Sequence, residues 1–261
     1  MSSNKIHNLF TSVSTRVLLI VVALVLPLNI IAIVYTDRAV ASIEEQARFN
    51  IQKIADYNMQ ELKSRMEMAQ TFLTYFMTED ADCITMRSQN IDDYTFAISK
   101  MKTLVKIKNM AAMSDGADGY FYYHISRNDG LIYANADQQG GLYHYLQTFL
   151  ENYQIEQNPQ GWHIYEWGEK PYLILLMRDG DSAYGCAIRL QQFQEQVLRG
   201  IEYPIREIFI TEGHPETAET NKMYIHAGSR NIYLNICLDN DELLKQVANP
   251  YLQGELRYSF Y

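Results

Sequence analysis

Aromatic rings with hydrogen-bonding tips gather in one stretch of this sequence: Tyr120, Tyr122, Trp162, Tyr165, Trp167, Tyr172, Arg178 and Tyr184. The chain holds 20 Tyr and 2 Trp, and both tryptophans fall here. Rings that stack on C–H faces, with one Arg and nearby acids to fix orientation, suit a small polar ligand such as a sugar, an amino acid or an organic acid. Plain sheet packing calls for the same residues, because aromatics favour strands, and both explanations stand at this level. Side chains alternate along a strand, so Trp162, Ile164 and Glu166 share one side while His163, Tyr165 and Trp167 share the other. Only one set can line a pocket.

The remaining reactive types form no catalytic pattern. There is no nucleophile elbow, phosphate loop, zinc-protease helix or dinucleotide fingerprint. None of the six histidines is spaced three or four residues from another, as metal ligands on a helix would be. His124, His163 and His226 fall in strand-like runs, which predicts hydrogen-bonded structural roles. Asp115 and Asp118 flank Gly116, and Glu166 lies near Glu169; carboxylates so spaced are commonest in turns. No catalytic residue, metal or cofactor is expected, and no enzyme activity in these residues. Cys83, Cys186 and Cys237 are too few for a disulfide framework. They are expected as buried free thiols, or with one bridge from Cys186 to Cys237.

These residues need a scaffold, and the chain supplies one in a clear order. From Val17 to Thr36 twenty residues carry no charge, which at 1.5 Å per residue matches a bilayer core of about 30 Å. Only Lys5 and Arg16 are charged before it, while Asp37, Glu44 and Glu45 follow, an asymmetry that places the N-terminus in the cytoplasm. Ala39-Val40-Ala41 before Ser42 would also satisfy a signal-peptide cleavage rule, but the apolar run is longer than such peptides use. Either way the remainder is exported. The 22 basic residues less Lys5 and Arg16 leave 20 against 31 acidic, a net −11 beyond the span. That charge argues against nucleic acid as a partner.

From Thr36 to Thr78 there is no Pro or Gly, and Val40, Ile43, Ala47, Ile51, Ile54, Leu62, Met66, Ala69, Leu73 and Phe76 recur at threes and fours. This predicts one long amphipathic helix, packed on the following domain, paired with a second copy, or both. A break at Glu79 to Asp82 precedes a helix over Ile91 to Met113, whose Lys100, Lys102, Lys106 and Lys108 are expected on a solvated surface. Then come a hairpin, Tyr120 to Ser126 and Leu131 to Ala134, turned by Asn128-Asp129-Gly130; a helix, Gly141 to Tyr153; and three strands, Trp162 to Trp167, Pro171 to Arg178 and Tyr184 to Leu190. A short helix over Gln191 to Leu198, strands at Glu207 to Thr211, Met223 to His226 and Asn231 to Leu238, and a helix over Asp239 to Val247 complete the order. The fold class is α+β: a transmembrane helix continuing into a long helix, then an antiparallel sheet flanked by helices. The expected divisions are a cytoplasmic tail 1–16, span 17–36, long helix 37–78 and exported domain 79–261, with a second small subdomain at 201–261.

The chain resembles the extracytoplasmic input region of bacterial sensor histidine kinases, especially Gram-positive kinases paired with carbohydrate uptake, whose sensor is PAS-like or Cache-like. The resemblance runs from Leu26-Pro27 through the long helix to Asp118-Gly119-Tyr120-Phe121. It continues in Trp162, Pro171-Tyr172-Leu173, Arg178 and Tyr184-Gly185, and in Ile208 to Gly213. It implies small-molecule sensing at the cell membrane, as the input of a two-component system and a homodimer through the long helix; with the one apolar run seen in these residues, the chain is expected to cross the membrane once. In that family a second span and a kinase follow the sensor, and neither is present in these residues. A membrane-anchored cell-envelope interaction or assembly protein without a small ligand is the alternative.

Overall fold

The computed structural model describes residues 13–88, 90–135, 141–152, 159–167, 170–201, 203–213 and 222–239. The chain divides into two compact units, residues 1–50 with 240–261, and Ile51–Asp239. The first helix, α1 (Val13–Thr78), runs through 66 residues with Pro27 inside it. Leu, Ile, Val and Ala fill its first part and no Gly interrupts it, so nothing local breaks the hydrogen-bond ladder except the proline. In the first unit all residues 17–39 are exposed. This apolar segment is long enough to cross a membrane.

In the second unit α1 buries one face. Ile51, Ala55, Leu62, Met66, Ala69, Leu73 and Phe76 are all at most 3% exposed, and their spacing of three, four and seven residues places them on one stripe. Asp80 then caps α2 (Ala81–Met86), its carboxylate accepting from the Asp82 and Cys83 N–H groups. The expected break is therefore a helix start, which satisfies donors that would otherwise be orphaned. Asp92 does the same for α3 (Asp93–Met113), accepting from Thr95 N–H at 2.9 Å. Of the four lysines of α3, Lys102 and Lys108 are exposed, as expected, while Lys100 and Lys106 are half-buried. Lys106 holds Asp80 and Asp82 at 2.6 Å each, and Lys100 holds Asp129 at 2.6 Å.

The strands β1 (Gly119–His124), β2 (Asp129–Ala134), β3 (Gly161–Trp167), β4 (Lys170–Asp179) and β5 (Ser182–Arg189) form an antiparallel sheet in the order β2-β1-β5-β4-β3. Between β2 and β3 lies α4 (Gly141–Glu151), and after β5 comes α5 (Leu190–Gly200). Three strands, β6 (Ile205–Glu212), β7 (Lys222–Ser229) and β8 (Ile232–Asp239), make a second antiparallel sheet in the order β6-β8-β7. The α+β class expected from the sequence is thus found, with helices flanking an antiparallel sheet. The expected helix over Asp239 to Val247 lies outside the described residues apart from Asp239, which ends β8.

The hairpin differs in detail. Asn128, with φ 50°, supplies the left-handed residue, while Gly130 sits in β2, where a Cβ would lie 2.2 Å from the Tyr122 carbonyl oxygen. Gly185 is needed for a similar reason. It pairs with Phe121, and a Cβ there would meet Phe121 Cζ at 2.1 Å. All three cysteines are free and buried. The possible Cys186–Cys237 bridge is not formed; Cys186 lies on β5 and Cys237 on β8, in different sheets.

Candidate functional site: an aromatic stack beneath α4

The first sheet has two covered faces, and the eight residues named from the sequence divide between them. Tyr120, Tyr122 and Tyr184 are at most 2% exposed and face the core shared with α1, where Trp162 also packs. Tyr120 meets Phe72 of α1 edge to face at 5.0 Å. Tyr122 meets Tyr184 at 5.1 Å, and its hydroxyl lies 3.2 Å from Ser182 Oγ. These four form the joint between sheet and helices.

Tyr165, Trp167 and Tyr172 lie on the opposite face, packed with α4. There Tyr145 of α4 stacks on Trp167 at 5.1 Å and 23° and on Tyr172 at 4.7 Å and 22°. Phe149, one helical turn on, meets Tyr165 edge to face at 5.3 Å, and His144 tilts against Trp167 at 5.4 Å. Tyr145 and Tyr172 are buried, whereas Tyr165, Trp167 and Phe149 are half-buried and His144 is exposed. The stack therefore opens to solvent along its Trp167 and His144 edge. Arg178 shares this face but sits six residues along β4 from Tyr172, about 20 Å at strand rise. The sheet does not bring it to the stack.

The contribution of α4 was not visible as site chemistry in the sequence. Leu142, Tyr145, Leu146 and Leu150 mark a buried helical face, but that periodicity gives no partner strand. What signal existed was Tyr145 and Phe149 four residues apart, the spacing that aligns two rings on one side of a helix.

Electrostatically the stack is a neutral surface. Burial pushes the Tyr145 hydroxyl far above the usual tyrosine range, and burial also raises Tyr172. Both keep their protons and can donate hydrogen bonds. Such a wall takes the C–H face of a neutral or zwitterionic molecule and is poorly suited to a bare ion. Among the described residues no group of three or more His, Cys, Asp or Glu could hold a metal.

At the inner end of the sheet lies a hub that sequence spacing had placed in a turn. Asp118 is 7% exposed. It accepts the Arg189 N–H at 2.8 Å, meets Arg189 Nη2 at 3.2 Å, and meets Arg65 Nη2 of α1 at 3.4 Å. Arg65 Nε also donates to the Asp115 carbonyl at 2.8 Å. Arg189 pairs in register with Tyr172, so the hub connects the residue behind the stack to α1.

The buried phenols make stability depend on pH at the alkaline end. Burial pushes Tyr122 and Cys83 up to about 12 and Tyr120 and Tyr184 higher still. The folded state keeps protons that the unfolded chain begins to lose above about pH 8 for the thiol and about pH 10 for tyrosine. Stability is thus full below about pH 8 and falls as pH rises toward about 12. Denaturation midpoints should be flat from neutral pH to about 8, begin to fall as the unfolded thiol ionises, and drop steeply above about pH 10, with phenolate absorbance rising in that steeper transition.

No family model matches the chain, and no curated protein matches it. Among solved structures, the chain is similar to the extracellular domain of vpHK1S-Z8, described as a histidine kinase. The TM-score is 0.42 at 9% identity, over 79% of this chain and 96% of that one. It is similar also to the periplasmic domain of Vibrio cholerae LuxQ, with a TM-score of 0.33 at 10% identity, over 74% and 98%. At these TM-scores the likeness assigns no function.

Proposed function

We propose that this chain is the extracytoplasmic sensor part of a single-pass membrane signalling protein. A small polar molecule binds at the open edge of the Trp167–Tyr145–Tyr172 stack. One observation carries this: α1 supplies both an exposed apolar segment of membrane-spanning length and, further along, a buried stripe pinned to the sheet by Arg65 and Asp118. A sensor needs its input sheet tied to the element that enters the membrane. A ligand that prefers one packing of the sheet against α1 biases that helix between two positions, by no more than its differential affinity for them.

The charge asymmetry about the span supports an N-terminus in the cytoplasm. The sequence resemblance supports a PAS/Cache-like sensor working as a homodimer through the long helix and serving a two-component histidine kinase. Carbohydrates therefore head the ligands to test, followed by amino acids and organic acids. The test is thermal denaturation of the full chain in lipid nanodiscs against that panel. A ligand at one hundred times its Kd should add about 2.7 kcal/mol of stability.

A second proposal has its own observation. Tyr94, Met101 and Val105 of α3 are 76%, 71% and 57% exposed, an apolar face suited to a protein contact. If no member of the panel stabilises the chain and a constitutive complex forms through α3, the envelope-assembly role replaces the sensor.

A further inference from the structure

The outer face of α3 carries a pattern of its own. Phe96, Ser99, Thr103 and Ile107 turn inward and are buried. On the opposite side Tyr94, Ile98, Met101 and Val105 recur at intervals of four, three and four residues, the heptad spacing of a helix that pairs with another helix. Tyr94, Met101 and Val105 are all more than half exposed, and Ile98 is half-buried. Along one flank of this seam lie Ala97 and Leu104, so the apolar strip widens there instead of ending in charge. The same flank opens into a groove of about 530 Å³ between α3 and the β1–β2 hairpin, lined in part by Phe96, Met101 and Leu104.

Charge is distributed unevenly from one end of α3 to the other. Asp92 and Asp93 stand at its start, and the Asp93 side chain is 98% exposed although Arg127 reaches it. No acidic residue follows Asp93 within the helix, whereas Lys100, Lys102, Lys106 and Lys108 do. Three of these meet aspartates of their own chain: Lys100 meets Asp129, Lys102 meets Asp82, and Lys106 meets Asp80 and Asp82. Lys108 takes the next seam position after Val105, is exposed, and has no ion-pair partner among the described residues.

We propose that α3 pairs with α3 of a second copy of this chain, antiparallel and centred between Ile98 and Met101. In that register Tyr94 meets the partner's Val105 and Ile98 meets the partner's Met101, each contact occurring twice by two-fold symmetry. Lys108 then falls beside the partner's Asp92 and Asp93, and the groove next to Met101 and Leu104 has room for the partner's Tyr94. Parallel pairing in register would face Lys108 with the partner's Lys108 across the seam and bring the two acidic starts together, so like charges oppose it. So short a seam makes a transient contact, not a permanent one. The inference names the partner for the exposed α3 face and does not involve α1 or the aromatic stack. Ligand binding read at Trp167 can therefore fail while the pairing holds, and the reverse.

The test is crosslinking of the full chain in detergent micelles, where copies can meet in either orientation. Two variants, Tyr94→Cys and Val105→Cys, carry different epitope tags and are treated with a short bismaleimide, singly and mixed. Both substitutions are at exposed positions, and the three native cysteines are buried; the unsubstituted chain gives their background. Positions 94 and 105 lie about 16 Å apart along the helix, so antiparallel pairing brings unlike positions together and holds like positions apart. The mixture should yield the doubly tagged dimer faster than either variant yields its own. Met101→Glu, added to both variants, places a charge in the seam and should slow that product by about tenfold. Like-with-like products that match or exceed the mixed one, a mixture that yields no doubly tagged dimer, or a yield unmoved by Met101→Glu would each overturn the proposal.

Discussion

Replacing Asp118 by Ala should destabilise the second unit by about 2–4 kcal/mol and loosen α1 from the sheet. The carboxylate serves Arg65, Arg189 and the Arg189 backbone N–H together, so its removal strands three donors. Deleting one partner of a buried pair costs about 3–5 kcal/mol. The Arg65 and Arg189 side chains retain 22% and 19% exposure, and water recovers part of that loss. The same carboxylate links a helix to a strand junction, so the effect should be local as well as global. Amide exchange should quicken around Arg65 in α1 more than in β7 or β8. Unchanged exchange near Arg65, with a denaturation midpoint near wild type, would show that the hub does not bind sheet to helix.

The second large effect concerns Tyr145. Its ring lies between Trp167 and Tyr172, 5.1 and 4.7 Å from them, and the residue is 5% exposed. Tyr145→Ala should cost about 3–5 kcal/mol, the range for truncating a buried aromatic, because a rigid three-ring stack cannot close over the gap. Tyr145→Phe keeps the ring and should stay within about 1 kcal/mol of wild type, since the lost hydroxyl makes at most one modest hydrogen bond. Urea denaturation separates the two. A loss of ligand response in the Phe variant at unchanged stability would place the hydroxyl in contact with the ligand.

The parts of this molecule that are local in sequence were the parts legible there. An apolar helix of membrane-crossing length announces itself by twenty uncharged residues, and strands by β-branched and aromatic runs closed by Gly, Asn and Asp. The hairpin, the three later strands and the long helix follow from such signals within a few residues. Pairing across distance does not. The joining of β1 to β5, with Tyr120 opposite Cys186, is fixed by burial on both faces. No periodicity carries that information.

The candidate site shows the same divide. Alternation correctly put Trp162 and Trp167 on opposite sides of β3, but it could not say that Tyr120, Tyr122 and Tyr184 face α1. It also could not say that Arg178 stands at the far end of β4. Asp118 looked like a turn acid because its partners lie 53 and 71 residues away. Tyr145 looked like core because a helix period records burial without naming what it is buried against. Among the described residues only α2 was missed as an element, six residues long and entered through a cap that reads equally well as a loop.

The central claim is that a small polar molecule binds at the Trp167 edge of the stack, and Trp167 can report on it directly. In Trp162→Phe the full chain keeps Trp167 as its one tryptophan. Titration of that variant in nanodiscs with sugars, amino acids and organic acids should give a saturable change in emission for one of these classes. The reciprocal variant, Trp167→Phe, lacks the ring at the proposed binding edge and should lose the saturable response or need more ligand to reach it. Flat Trp167 emission across the whole panel, from a chain whose unfolding remains cooperative, would contradict the account.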